Sequence, residues 1–326
     1  MPVTIPRMRG GGRGRASNAP SPAQRRARTR ARIQLLLLTV GTAGVLALAS
    51  AGYISTRYRA PHLGHVTLRR VDPGSVAALE SVFRRADYQW PPADSVPPIA
   101  VANLPPGLDQ VKVARRKTLF FQTVLPLVVA ENTRIRRERR FLKRQFAAGK
   151  IEPGSRAALQ VQRIAKAFDV DGQINDPSFR KTLLRRVDVV PPGLVLAQAA
   201  TESGWGTSRF AVEGNNLFGI WTWDADRGLT PRRRRPNADH YVRTYRNLRS
   251  SVHNYIMNID TRDAYSELRQ LRAFLRRKGQ TLDPSRLVVG LRLYSSRRGD
   301  YVHDIRAMIR MNNLNRLVRL QLAQHS

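Results

Sequence analysis

The sequence predicts an all-α domain over residues 109–320, α+β in detail, with one small irregular or β insertion after Trp221 and a membrane-spanning helix ahead of it. Three observations predict it. Apolar residues recur at helical spacing through most of the chain beyond residue 110. Helix starts are marked by the pairs Asp176-Pro177, Pro191-Pro192 and Asp283-Pro284. An uncharged apolar run of 22 residues, 33–54, lies near the amino terminus.

The elements follow in chain order. Residues 1–32 carry nine arginines and no acid among Gly, Ser and Pro, the composition of a disordered basic tail. As a helix, 33–54 covers the roughly 30 Å of bilayer hydrocarbon, and the arginines before it keep that end in the cytoplasm and export the rest. Ala47, Ala49 and Ala51 offer a second reading, a cleaved signal that leaves a soluble periplasmic protein; the apolar run continues past them to Ile54, which favours a retained single-pass inner-membrane anchor. Residues 55–108, with eight prolines, read as a partly extended periplasmic stalk with one short helix, VAALESVFRRA. KTLFFQTVLPLVVAENTRIRRERRFLKRQF predicts one or two helices, kinked or broken near Pro126. GSRAALQVQRIAKAF, SFRKTLLRRV, GLVLAQAATE and SRLVVGLRL predict further helices, and WTWDADRGLTPRRRRPNADHYV predicts the loop or hairpin insertion.

Charge limits the function classes. With 57 basic and 23 acidic residues the net charge is +34, which calls for an anionic partner: nucleic acid, phospholipid or cell-wall polymer. Export would separate the chain from nucleic acid, so none is expected as a partner. The absence of cysteine excludes disulfides, thiolate metal sites and cysteine nucleophiles, and six histidines without HExxH spacing give no metal site, so no cofactor is expected.

Against that excess of base, ATESGWGTSRFAVEGNNLFGIW places Glu202 at the end of the apolar helix opened by Pro192 and stopped by Gly204 and Gly206. The negative end of the helix dipole and apolar neighbours both favour its neutral form, which a general acid needs near pH 7. On the residues alone, a glutamate pointing into water is an equal reading. Aromatic residues gather nearby: Trp205, Phe210, Phe218, Trp221, Trp223, Tyr241 and Tyr245 offer rings that stack on sugar faces or build a core. Asn215 and Asn216 read as a turn whose amides orient either the chain or a sugar acetamido group.

ESGWG followed by NNLFG resembles the active-site segment of the family 73 glycoside hydrolases, the glucosaminidase domains of bacterial autolysins and flagellar peptidoglycan hydrolases, with the Bax-type proteins among them. The resemblance continues through YVRTYRNLRSSVHNYIMNI, NIDTRDAYSELR and YSSRRGDYVHDIRAMI, over roughly residues 110–315. It implies a lysozyme-like helical fold with a small β-lobe, and hydrolysis of the β-1,4 bond after N-acetylglucosamine in peptidoglycan glycan strands. Glu202 matches the catalytic proton donor, and Tyr255 the tyrosine beside the scissile bond, although Val252, Tyr255, Ile256 and Ile259 also form a helical apolar stripe. Asn216, Phe218 and Gly219 match the element that shapes the cleft floor, and Trp205, Trp221 and Tyr245 join them as substrate-binding candidates. One departure stands out: many members carry a second glutamate on the β-lobe, and GLTPRRRRPNADHYVRTY has none. Asp239, and after it Asp224, are the candidates for a second catalytic carboxylate, unless the substrate's own acetamido group serves as nucleophile. A lytic transglycosylase and a catalytically silent wall-binding protein remain the alternatives.

Overall fold

The computed structural model describes residues 66–232, 239–294 and 299–323. The expected basic tail and the expected membrane helix at 33–54 lie outside the described residues. Among the described residues no helix is long and apolar enough to cross a membrane.

From residue 66 onward the expected stalk is instead part of the core. Strand β1 (Arg69–Val71) pairs in parallel with β3 (Ile99–Val101). Between them lie the expected short helix α1 (Val76–Arg85), whose Ser75 side chain accepts from the Ala78 amide at 3.2 Å, and β2 (Ser95–Val96). Leu79, Phe83, Val96, Ile99, Val101, Leu104 and Leu108 are all buried. The prolines are tolerated because they flank strands of only two or three residues, where no ladder amide is missed. Alternating apolar residues around them then supply the burial, about 1.5–3 kcal/mol for each fully enclosed Leu, Ile, Val or Phe.

The expected one or two helices over 113–147 form one, α2 (Val113–Ala147), with Pro126 inside it. Leu119 to Asn132 are buried without interruption, so the helix is enclosed on every side there and packing offsets the lost amide bond at Pro126. Helix α3 (Arg156–Ala167) starts at Ser155, whose side chain accepts from Ala158 N at 3.1 Å; α4 (Pro177–Arg186) and α5 (Pro192–Ser203) start at the predicted pairs, Asp176 accepting from Ser178 N at 2.7 Å. α6 (Arg209–Gly214) leads into the insertion, a three-stranded antiparallel sheet of β4 (Trp221–Thr222), β5 (Gly228–Leu229) and β6 (Tyr241–Arg243) in the order β4-β6-β5. α7 (Leu248–Thr261) and α8 (Ser266–Arg277) return to the core. The helix expected from SRLVVGLRL is shorter than its pattern: α9 covers only Pro284–Leu287 and passes into a 3-10 turn at Val288–Leu291. In that turn Gly290 lies so close to the Leu268 backbone of α8 that a Cβ would stand 2.4 Å from it. α10 (Gly299–Met311) and β7 (Gln321–Leu322), parallel to β2, complete the described fold.

Two polar locks place α5. Asn132 of α2 donates to Val190 O at 2.8 Å and accepts from Val190 N at 3.2 Å, just ahead of the helix start. Arg272 of α8, fully buried, donates to Asp188 O at 2.9 Å and to Asp260 at 2.7 Å. α5 itself is apolar on all sides, with every residue from Pro192 to Ala200 buried, as befits a helix at the centre of a bundle.

Candidate active site

Glu202 sits in the last turn of α5, which Gly204 ends in the left-handed conformation at φ 58° and ψ 46°. Ser203 behind it is fully buried, whereas Glu202 is half-buried, so the carboxyl stands at the boundary between core and surface. Its Oε1 accepts the hydroxyl proton of Tyr301, on α10, at 2.8 Å. Burial raises the carboxyl above the ordinary range, and the Tyr301 hydroxyl, which favours the ionised form, offsets only part of that. No cation pairs with Glu202 among the described residues. A carboxyl so placed keeps its proton to higher pH than a solvated one and can deliver it.

Around it four tyrosines converge from separate elements. Tyr301 and Tyr294 stack at 5.3 Å with a 12° interplanar angle, and Tyr265 lies against Tyr294 at 6.2 Å. Tyr255 of α7 stacks on Phe218 at 3.9 Å and donates its hydroxyl proton to Gln198 Oε1. Gln198 Nε2 in turn donates to the Tyr301 oxygen at 2.9 Å. Burial pushes all four hydroxyls up, Tyr265 to about 12, so none of them is a base near neutrality. Tyr255, expected to line the cleft, is 1 % exposed and lines no open surface; its burial matches the apolar-stripe reading, and its hydrogen bond to Gln198 connects it to the Tyr301–Glu202 pair.

The NNLFG turn is built from its own side chains. Asn216, buried, donates to Ile220 O and Arg243 O at 2.8 Å each and accepts from the amides of Phe218 and Ile220 at 3.2 and 3.1 Å. Asn215 donates to Asn103 Oδ1 at 2.9 Å and Tyr245 O at 3.1 Å. Of the two expectations for these amides, orienting the chain is the one realised; Asn216 has no group left with which to hold a sugar. The turn delivers Gly219, at φ 62°, next to the catalytic candidate: a Cβ built there would lie 3.8 Å from Glu202 Oε2, so any side chain would narrow that space. Tyr294 donates to Phe218 O at 2.7 Å and ties the turn to the tyrosine cluster.

The remaining candidates are placed less centrally. Phe218 is buried in the stack with Tyr255 and offers no free face to a sugar. Trp205 packs edge-on against Phe120 and Phe121 of α2 with the Lys117 ammonium 4.7 Å above its ring, so its contacts are structural. Tyr245 donates to Asn254 at 2.7 Å at the start of α7. Trp221, 47 % exposed on β4 and stacked on His240 at 4.2 Å, is the one expected platform residue with an open ring. Asp224 caps the turn at Ala225–Arg227 and pairs with Arg227 at 3.2 Å. Asp239 is exposed just before β6. Among the described residues no hydrogen bond joins either aspartate to Glu202.

Gln198 and Tyr301 were not singled out from the sequence. Gln198 did leave a trace, as a polar side chain one helical turn before Glu202 inside an otherwise apolar buried run. Tyr301 left none, because with Val302, Ile305 and Ile309 it makes an ordinary helical core stripe.

Comparison with known proteins gives the family. The family model described as mannosyl-glycoprotein endo-beta-N-acetylglucosaminidase matches residues 179–314, a span that runs from α4 past α10. Protein bax of Escherichia coli (strain K12) is 35 % identical over 201 residues, which cover 60 % of this chain and 70 % of the relative. No solved structure matches.

Proposed function

The chain belongs to the glucosaminidase family, a family of glycosidases, and from that premise we propose that it is a peptidoglycan endo-β-N-acetylglucosaminidase with Glu202 as general acid. The observation that carries the proposal is a half-buried carboxyl, raised by burial, that has no cationic partner among the described residues of a chain of net charge +34. Glu202 protonates the glycosidic oxygen as the C–O bond breaks, so the leaving sugar departs as a neutral alcohol. The sugar cation is stabilised by the substrate's own acetamido oxygen in this reading, with Asp239 and Asp224 as the protein alternatives; either would act from about 5–9.5 Å, beyond hydrogen-bond reach of Glu202. A second reading, lytic transglycosylase action, also needs only a single acid. Trp221 supplies a stacking face on the β-lobe. The basic surface concentrates a wall polymer rich in carboxylates, and residues 33–54 hold the catalytic body on the outer side of the inner membrane.

Mass spectrometry of purified peptidoglycan digested by the full chain tests the proposal. The expected product ends in reducing N-acetylglucosamine, with activity lowered about 10³-fold in Glu202→Gln, the range for loss of a general acid. Anhydro-muramic ends establish the transglycosylase reading instead, and undiminished cleavage by Glu202→Gln removes Glu202 from the mechanism.

A further inference from the structure

We propose that Gln198 is a positioning residue that determines which oxygen of Glu202 carries the acid proton; the inference rests on Glu202 being the general acid. Gln198 is fully buried one turn before Glu202, and both ends of its amide are engaged. Its Oε1 takes the Tyr255 proton, and its Nε2 donates to the Tyr301 oxygen at 2.9 Å. A hydroxyl that receives an N–H on its lone pair must send its own proton elsewhere. For Tyr301 the destination is Glu202 Oε1, at 2.8 Å. The three bonds therefore run in one direction, from Tyr255 to the carboxylate, and each polarises the next.

Reversing the amide shows what this direction is for. With Nε2 toward Tyr255 and Oε1 toward Tyr301, the Tyr301 proton would be drawn to Gln198. Glu202 Oε1 could then meet Tyr301 only by carrying the acid proton itself, facing inward and away from any substrate. Tyr255 opposes that reversal, because Gln198 is its one hydrogen-bond partner among the described residues and its buried proton would be orphaned at a cost of about 1–3 kcal/mol. In the orientation present, Oε1 accepts in both protonation states of Glu202, which leaves Oε2 to hold the proton. Oε2 is the oxygen beside Gly219, where no side chain intrudes. At cleavage the Oε2–H bond breaks, its proton passes to the glycosidic oxygen, that oxygen takes the electron pair of the C–O bond, and Glu202 is left ionised with Oε1 still held by Tyr301.

Among the described residues, the titratable groups facing Glu202 are Tyr301 from α10, Tyr294 from the segment before it, Tyr255 from α7 and Tyr265 from the turn ahead of α8, all neutral near pH 7. The test follows the Glu202 carboxyl by infrared difference spectroscopy of the full chain against Glu202→Gln, without substrate. Its midpoint is expected to rise by about half a pH unit in Gln198→Met and about one unit in Tyr301→Phe, because each weakens donation to the ionised form. Adding Gln198→Met to Tyr301→Phe is expected to change nothing further. The basic limb of the pH–rate profile moves up in parallel, with kcat lowered about tenfold in Gln198→Met and KM within about threefold. An unmoved midpoint in folded Gln198→Met, additive effects in the double variant, or a rate loss uniform across pH overturns the inference. Where Gln198→Met alone does not fold, Gln198→Met with Tyr255→Phe removes the orphaned hydroxyl and is read the same way. Because the midpoint is measured without turnover, a chain that cleaves no glycan sinks the proposed function and still leaves the direction of the relay to be decided.

Discussion

Glu131 and Glu202 are both acids at the core of one fold, and their surroundings are opposites. Glu131 on α2 accepts from Arg134 at 2.6 Å and from His253 at 2.8 Å, next to Glu138, which shares Arg134 at 2.6 Å. Asp188 and Asp260, between α4, α7 and α8, are likewise held by arginines: Arg276 at 2.9 Å and Arg272 at 2.7 Å. Burial alone would push Glu131 up, yet Arg134 and His253 outweigh it and hold the carboxyl well below the usual range. Glu202 is pushed up by the same burial with only a neutral tyrosine to oppose it. In a chain where 57 basic residues face 23 acids, a half-buried acid with no cation beside it among the described residues reflects its neighbours there: the small apolar residues of α5 and a ring of tyrosines. Cations decide the matter at Glu131 and Asp188, whose carboxyls they hold down, whereas at Asp260, pushed up to about 7, and at Glu138 burial outweighs the paired arginine; Glu202 differs from all four in meeting burial with only a hydroxyl.

The same substitution should therefore do opposite things in the two places. The largest difference is in activity: Glu202→Gln costs about 10³-fold in glycan cleavage, whereas folded Glu131→Gln stays within about threefold, as measured by product release from peptidoglycan. Next comes stability. Asp188→Asn leaves Arg139, Arg272 and Arg276 around a neutral amide and is expected to cost about 3–5 kcal/mol by denaturant unfolding, with Glu131→Gln at the lower end of that range. Glu202→Gln, by contrast, removes a charge that burial disfavours and is expected to gain about 0.5–1 kcal/mol at neutral pH.

Smaller still is the dependence on pH, where the two slopes have opposite signs. The folded value of Glu131 is depressed, so its contribution is complete above the unfolded value of about 4.3 and is lost as the pH falls toward the folded value. The folded value of Glu202 is raised, so its contribution is complete below about 4.3 and is lost as the pH rises through the folded value. Thermal midpoints across pH 3–8 for each Gln variant against the parent check this: Glu131→Gln flattens the acid side and Glu202→Gln the side above it. A parallel shift in both variants would mean that the cations do not distinguish the two sites.

Local signals were legible in the sequence wherever a local rule decides the structure. Asp176 with Pro177, Pro191 with Pro192, and Asp283 with Pro284 marked helix starts because capping and proline geometry act within four residues. Glu202 was legible for the same reason, its helix end being written in Gly204. The segment 66–108 was not, since its proline pairs resemble an extended linker and only distant partners, such as β7 for β2 and α2 for Gln122's contact with Tyr88 O, show it to be folded. Tyr301 and Gln198 were hidden likewise: α5 and α10 meet across 99 residues of chain, and no periodicity in either helix reports that meeting. The amides of Asn215 and Asn216 could be read as turn formers, but that Asn216 is fully committed could not, since Arg243 O on the flanking strand is one of its partners.

The folding of residues 66–108 into the body also bears on reach. A stalk of residues 55–108 could have reached about 190 Å at full extension, enough to sweep a broad zone. With residues 66–108 paired and buried in the body instead, they add nothing to such a reach, and a chain trimmed to begin at residue 109 would lose β1, β3 and α1 from its core rather than shorten a tether.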